Sequence, residues 1–387
     1  MRKILFLAEE LDTNGAMYSL LALLKALPKD KYDLSLFLFK HGGKMVEQIP
    51  EGVSMLPELL PYAIFRMPLQ DALLTSLKRF RLDLLFFRML VALQRAKGWN
   101  YRLWAFLPKL DERFDVACCY TDGFVAPMML RKVNAKKKCA WVHFPYSKWE
   151  QMPCVYEALE QMDMCVPVSI DTGNELDNVL GIKVPKHIVH NITDIETCRL
   201  RANEKCEIPT KPGITRIVSV GRVTPPKFFD IIPPTAHILD SRGIKYEWYI
   251  IGYGDKFEEL LLQTKNEHID GHVFFIGSRP NPMPWIKSAD VFVNPSRFEA
   301  WGMTVSEALC LGKAVIVSDI PVFKEQITDG ENGLICKITP ENIADAIEQL
   351  LKEENLRRKL EQNAVKYPFT KEVVIKEFDD LVQKLGI

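Results

Sequence analysis

Short apolar runs of four to six residues recur along the chain, separated by stretches with helical spacing, and this alternation predicts layered α/β structure. The strand-like runs fall into two series. The first comprises residues 4–8, 34–39, 116–120, 138–143 and 164–168, with helical periodicity over 16–26 and 155–161. The second comprises 217–220, 246–251, 273–276, 291–294 and 314–317. Between them lies a polar stretch punctuated by proline, 193–213, which reads as a linker. The last segment, 371–385, places Val374, Ile375, Phe378, Leu381, Val382 and Leu385 at helical spacing.

Composition agrees with two cored domains. The chain has 387 residues, 48% of them hydrophobic, which is globular rather than disordered. Fifty basic and fifty acidic side chains give a formal charge of zero, so global electrostatics make no case for nucleic-acid binding. The nine cysteines show no Cys-x-x-Cys pair and no Cys/His cluster with metal-ligand spacing, so reduced, buried thiols are expected. The opening Met1-Arg2-Lys3 precedes an apolar run too short for a signal peptide, ending in Glu9-Glu10, and is read as a strand. No apolar run reaches the ~18 residues that span a bilayer; the greasiest, 82–93, is interrupted by Asp83 and Arg88.

Candidate chemistry concentrates in the second series. In the segment from Phe298 to Leu309, Glu299 precedes a helix read over 304–311 and ended by Gly312, and Glu307 lies inside the first turns of that helix. Eight helical residues would hold the two carboxylates about 12 Å apart. A hydrolytic acid and nucleophile pair needs about 5 to 9.5 Å, so the pair is better suited to gripping two parts of one elongated ligand. Between them Gly302, Met303 and Thr304 offer N–H groups at a helix N-terminus, a setting that favours phosphate. Phosphate flanked by two hydroxyl-binding carboxylates describes a sugar nucleotide, against the plain alternative of polar residues at a helix start. Upstream, an apolar strand ends in Gly221-Arg222, followed by Lys227. Arg bridges two phosphate oxygens and Lys adds a compact charge, so the two suit a pyrophosphate leaving group, the alternative being a solvated basic loop.

The order Gly-Arg-x4-Lys at 221–227, Gly252-Tyr253-Gly254, Phe274-Phe275-Ile276-Gly277, Glu-x7-Glu at 299–307 and Asp329-Gly330-Glu331-Asn332-Gly333 resembles the retaining family 4 glycosyltransferases. The likeness is specific over 214–340 and weaker before it. It implies the GT-B fold: α/β, with two Rossmann-like, doubly wound domains facing a central cleft. Residues 1–195 would form an acceptor-binding domain onto which 371–387 packs back, and 196–370 a nucleotide-sugar domain. The resemblance also implies His143 as a contact to the donor sugar near the reacting carbon, with Arg222, Lys227 and Glu299 as its catalytic companions. The donor would further meet Gly15, Gly221, Ser278, Arg279, Gly302, Met303, Thr304 and Glu307, with base selection near Ser278-Arg279-Pro280. No cofactor and no metal are expected. A uridine diphosphate sugar is the commonest donor on this account, and the acceptor a hydroxyl of a saccharide or lipid-linked molecule in cell-surface polysaccharide or glycolipid synthesis. The chain departs from the family pattern twice. Asn14 stands where glycine is usual, and is expected to tolerate a left-handed backbone; Phe228 stands where glycine usually follows the lysine.

Rival classes are a sugar-nucleotide epimerase of the same architecture, a catalytically silent binding subunit, and a dinucleotide-dependent oxidoreductase. Gly252-Tyr253-Gly254 lacks the third glycine that the last would need. Asp122, Ser169 and Asp171 sit at predicted strand ends, and Glu9 and Glu10 follow the first strand, with solvated turns or structural roles as the simpler reading. Residues 65–110 mix large aromatics, Phe80, Phe86, Phe87, Trp99, Tyr101, Trp104 and Phe106, with Lys78, Arg79, Arg81, Arg88, Arg95, Lys97, Arg102 and Lys109, opposed only by Asp71 and Asp83. Such a segment suits either core-packing helices with basic outer faces or an anionic membrane surface at the cytoplasmic side.

Overall fold

The computed structural model describes residues 1–97, 107–144, 153–178, 180–205 and 211–387. They form two compact units, Met1–Ile192 with Lys371–Ile387, and Thr193–Thr370.

In the first unit the strands are β1 (Arg2–Ala8), β2 (Tyr32–Leu38), β3 (Val53–Met55), β4 (Arg113–Cys119), β5 (Asn134–Val142) and β6 (Met164–Pro167). The helices are α1 (Gly15–Ala26), α2 (Leu60–Arg66), α3 (Leu69–Lys78), α4 (Leu82–Lys97), α5 (Val125–Lys132), α6 (Pro153–Glu160) and α7 (Ile170–Asn178). The sheet is parallel, in the order β3-β2-β1-β4-β5-β6. Near-continuous apolar strands such as Ile4–Ala8, with every residue buried, are what a parallel sheet covered on both faces requires.

In the second unit the helices are α8 (Ile195–Arg201), α9 (Ile232–Ser241), α10 (Phe257–Asn266), α11 (Met283–Ser288), α12 (Met303–Cys310), α13 (Pro321–Gln326), α14 (Pro340–Lys352) and α15 (Glu354–Ala364). The strands are β7 (Thr215–Val220), β8 (Tyr246–Ile251), β9 (Val273–Gly277), β10 (Val291–Asn294), β11 (Ala314–Ser318) and β12 (Leu334–Cys336). Their order, β12-β11-β10-β7-β8-β9, is again all parallel and repeats the topology of the first sheet. The α/β, doubly wound architecture expected from the alternation is therefore present twice. The short edge strands β3 and β12 carry too few apolar residues to stand out in the sequence.

The final helix, α16 (Lys371–Lys384), belongs to the first unit. Its Phe378 stacks on Phe6 with ring centroids 5.9 Å apart and meets Tyr32 edge-on at 5.4 Å. Asp379 accepts hydrogen bonds from the Tyr32 hydroxyl at 2.5 Å and from Lys31 Nζ at 2.9 Å. Apolar spacing that sequence reads as one amphipathic helix thus finds its core on β1 and β2.

Where a parallel order reverses, the loops leaving two neighbouring strands diverge and leave a crevice at their C-terminal ends. In the second unit that point lies between β7 and β10, and it brings the loop beginning Gly221-Arg222 beside the loop Pro295 to Trp301. The Gly221 loop is laced to the loop after β8, with Val223 N–H donating to Tyr253 O at 3.2 Å and Lys256 N–H to Val223 O at 3.0 Å. Gly252 is obligatory there: at φ +150° an added Cβ would lie 1.8 Å from Gly221 O. These glycines serve backbone approach within the protein, which removes the dinucleotide reading of Gly252-Tyr253-Gly254.

Candidate functional site in the second unit

The apolar strand β10 ends at Asn294, and the next residues form a tight polar turn. Asn294 Oδ1 accepts from Ser296 N–H at 3.1 Å and Ser296 Oγ at 2.7 Å, and Ser296 Oγ reaches Glu299 Oε1 at 2.9 Å. Glu299 Oε1 also pairs with Lys227 Nζ. Two residues 72 positions apart in sequence thus meet across the switch point. Both side chains are largely buried, so the pair is screened little by solvent. Arg222 is exposed beside it and makes no ion pair among the described residues.

Lys227 is delivered by a 3-10 turn, Pro225–Lys227, which ends at Phe228 in the left-handed region at φ 52°, ψ 43°. Glycine needs no such strain, and a phenylalanine costs ~1 to 2 kcal/mol in this conformation. Its ring is engaged: the Arg297 guanidinium carbon stands 3.4 Å over its centroid. Arg297 N–H donates to Pro226 O at 2.8 Å, so the two loops that carry Lys227 and Glu299 are fastened by backbone and side chain alike.

Gly302 caps α12 in the left-handed region at φ 84°, and an added Cβ would meet Phe323 Cε1 at 2.6 Å. With no capping side chain, the N–H groups of Gly302, Met303 and Thr304 lack acceptors among the described residues, an arrangement that attracts anions. A buried polar network supports this helix start. Ser306 Oγ bonds Gln326 Oε1 at 2.9 Å and the Tyr367 hydroxyl at 2.8 Å, and Gln326 Nε2 donates to Trp301 O. Trp301 packs edge-on against Phe369 at 4.8 Å. Ser296, Arg297, Gln326 and Tyr367 carried no sequence signal; only their contacts mark them.

Glu307 lies one turn into α12, half-buried, its carboxyl without a hydrogen bond among the described residues. Burial raises that carboxyl from 4.5 to about 7, opposed in part by the charge of Arg201. A half-buried carboxyl with no hydrogen bond among the described residues is a candidate ligand contact rather than a stabilising one. Ser278 and Arg279 leave the edge strand β9, exposed or nearly so, with β8 standing between β9 and β7. Among the described residues Arg279 NH1 bonds only the neighbouring Ser278 O, at 3.3 Å. The structure brings Lys227 and Glu299 together, sets Gly221, Arg222 and the α12 start at the same switch point, and leaves Ser278 and Arg279 at the sheet edge.

The remaining candidates belong to the first unit. His143 follows β5; its N–H donates to both Asp122 oxygens at 3.2 Å, and among the described residues neither ring nitrogen has a hydrogen-bond partner of good geometry. Desolvation lowers its pKa to about 3, with the Tyr120 backbone opposing, so the ring is neutral at pH 7. Its ring lies 4.7 Å from that of Tyr120. Asn14 corrects an expectation. It is extended at φ −144°, and its Oδ1 accepts from Met17 N–H at 3.1 Å, capping α1. Asparagine is used here for its side-chain oxygen, leaving Gly15 as the first helical residue. Ser169 likewise caps α7 through Thr172, at 3.1 Å to its N–H, and Glu10 pairs with Lys40 at 3.0 Å. Eight cysteines fall within the described residues, all free thiols.

Residues 202–367 match the family model for glycosyl transferases group 1. The N-acetyl-alpha-D-glucosaminyl L-malate synthase of Bacillus anthracis is 24% identical over 232 residues, covering 58% of this chain and 60% of that protein. The lipopolysaccharide core biosynthesis glycosyltransferase LpsE of Rhizobium meliloti is 29% identical over 183 residues, 47% of this chain and 52% of its own. The chain thus spans between half and two thirds of the length of these relatives. Among solved structures, Anabaena HepE in complex with UDP superposes with a TM-score of 0.66 over 98% of this chain and 99% of that one, at 15% identity, which speaks for the GT-B fold. The sheet order, the switch-point loops and the match of residues 202–367 to the group 1 glycosyl transferase model agree with one another, and the GT-B fold is the architecture they share.

Proposed function

We propose that the protein transfers a sugar from a nucleoside diphosphate sugar, with uridine as the nucleoside, to a hydroxyl of a saccharide or lipid-linked acceptor, with retention at the anomeric carbon. The Lys227–Glu299 pair at the switch point, beside three unpartnered N–H groups, is the observation that carries this reading. In the resting site Lys227 neutralises Glu299. A donor would redistribute that pairing, with its diphosphate drawing on Lys227 and Arg222, and Glu299 turning to hydroxyls of the sugar. The N–H groups of Gly302, Met303 and Thr304 add partial positive charge where the leaving diphosphate gains negative charge. Glu307 takes the ribose hydroxyls.

In the proposed step the bond from the anomeric carbon to the diphosphate oxygen breaks, and the acceptor oxygen bonds that carbon on the same face. The departing phosphate oxygen takes the acceptor proton. No carboxylate nucleophile is needed, in keeping with Glu299 being held by Lys227 and Ser296.

Thermal stability measured with UDP, GDP, ADP and their sugar conjugates tests the reading. A ligand at about 100 times its dissociation constant adds about 2.7 kcal/mol of stability. A shift selective for uridine nucleotides, lost in Glu307→Ala, is expected; no shift with any nucleotide would remove the donor site. Incubation with donor alone separates transfer from isomerisation of the sugar.

A further inference from the structure

Helices α3 and α4 form a hairpin in the first unit whose two sides are both apolar. The inner side is core: Ala72, Ser76, Leu84, Phe87 and Val91 are buried, and Arg88 turns inward to donate to Met67 O at 3.0 and 2.9 Å. Leu84, Phe87 and Arg88, grouped by sequence with the basic aromatic segment, therefore belong to the interior. Trp99, Tyr101, Arg102, Trp104 and Phe106 of that segment lie outside the described residues.

Among the described residues the outer side has no such cover. On α3, Leu73, Leu74 and Leu77 are exposed; on α4, Leu82, Phe86 and Met89 repeat at i, i+4 and i+7 and are exposed too. At the apex Phe80 is 92% exposed, with Leu82 at 67% and Phe86 at 64%. Phe80 closes α3 in the left-handed region at φ 54°, the position at which glycine ends a helix without strain. Arg81 N–H returns to Ser76 O at 2.9 Å across it. A phenylalanine in that conformation, touching almost nothing of its own protein, is strain without compensation inside the fold. Around it stand the exposed cations Lys78, Arg79 and Arg81, against one acid, Asp83, which pairs with Arg81 at 2.6 Å. The other acid of the pair of helices, Asp71, is at the opposite end of α3.

We infer that the apex of the α3–α4 hairpin docks on an anionic lipid surface, with Phe80, Leu82 and Phe86 entering the headgroup boundary and Lys78 and Arg79 meeting lipid phosphates. Among the described residues no helix is long and apolar enough to cross a membrane, and a hairpin with an aromatic tip between cations is a means of lying on one. Exposed apolar side chains beside cations in excess of acids suit an anionic apolar phase better than water. This inference does not rest on the transfer reaction, since it concerns α3 and α4 alone.

Co-sedimentation of the full chain with vesicles of phosphatidylcholine, alone or mixed with phosphatidylglycerol, tests it. Binding is expected to the mixed vesicles and to weaken with salt. The double variant Phe80→Ser with Phe86→Ser should lose at least tenfold in partitioning. Lys78→Glu and Arg79→Glu should each cost fivefold or more, from roughly fivefold per cation near such a surface. Being exposed, these substitutions should leave the thermal unfolding curve and the nucleotide-induced shift unchanged, which keeps loss of docking apart from loss of fold. Equal partitioning of wild type and variants, or none, overturns the inference. So does a concentration-dependent dimer that Phe80→Ser dissociates while vesicles are ignored, which would make the occupant a second copy of the chain.

Discussion

Replacing Glu307 by Gln should stabilise the second unit, and do so only above acid pH. The carboxyl is half-buried, has no hydrogen bond among the described residues, and has its pKa raised from 4.5 to about 7 by burial. Between those values the folded state holds a proton that the unfolded chain has released. Stability contributed by the neutral form is therefore complete below pH 4.5, falls as pH rises, and is lost once pH exceeds about 7. A shift of this size corresponds to about 3 kcal/mol. Water reaching a half-buried group reduces the realised part to roughly 1 to 3 kcal/mol. Glutamine has the same shape and no charge to desolvate. The variant should match wild type near pH 4 and gain roughly 2 to 12 °C in melting temperature by pH 8, at about 2 to 4 °C per kcal/mol for a unit of this size. Melting curves of both proteins at intervals from pH 4 to 8, followed by tryptophan fluorescence, read the difference directly; Trp301 lies in the same unit. A difference independent of pH, or a glutamine variant less stable at pH 8, would refute the account of Glu307 as a strained, unpaired carboxylate. The cost is what a site pays for holding a charged ligand contact ready.

Three further outcomes follow from the same geometry. Arg222→Ala and Lys227→Ala should each lower kcat about 100-fold with a smaller change in KM, in a transfer assay; near-normal turnover in both would remove them from the mechanism. At position 228, Phe228→Ala loses the Arg297 contact and keeps the left-handed strain, whereas Phe228→Gly loses the contact and relieves the strain. Glycine should therefore be more stable than alanine by about 1 kcal/mol in chemical denaturation, and the reverse order would show that the backbone there is not strained. Gly302→Ala should destabilise by more than about 1 kcal/mol and weaken nucleotide binding, because its Cβ meets Phe323 at 2.6 Å in a left-handed turn; unchanged binding would dissociate the α12 start from the phosphates.

The sequence by itself determined the architecture and the chemical inventory. Parallel strands buried on both faces must be largely apolar, so β1, β4, β8 and β11 are legible as runs, and helices that cover them must repeat every three to four residues, as α16 does. The motifs at 221–227 and 299–307 are local patterns, which is why the sequence alone suffices to put them forward as ligand-binding candidates. Contacts between distant segments were not. That Lys227 closes on Glu299 follows from β7 and β10 being neighbours, a fact of strand order that no local pattern encodes. Asn14 gave a residue type compatible with two backbones, and only the helix it caps decides for the extended one. Ser169 stood at a strand end like a site residue and proved to be a cap, because hydroxyls serve both uses. In the α3–α4 hairpin the sequence supplied aromatic and basic residues in one stretch. Only burial sorted Leu84, Phe87 and Arg88 inward and Phe80, Leu82 and Phe86 outward, since a helix apolar on both sides has no periodicity from which its exposed face can be read.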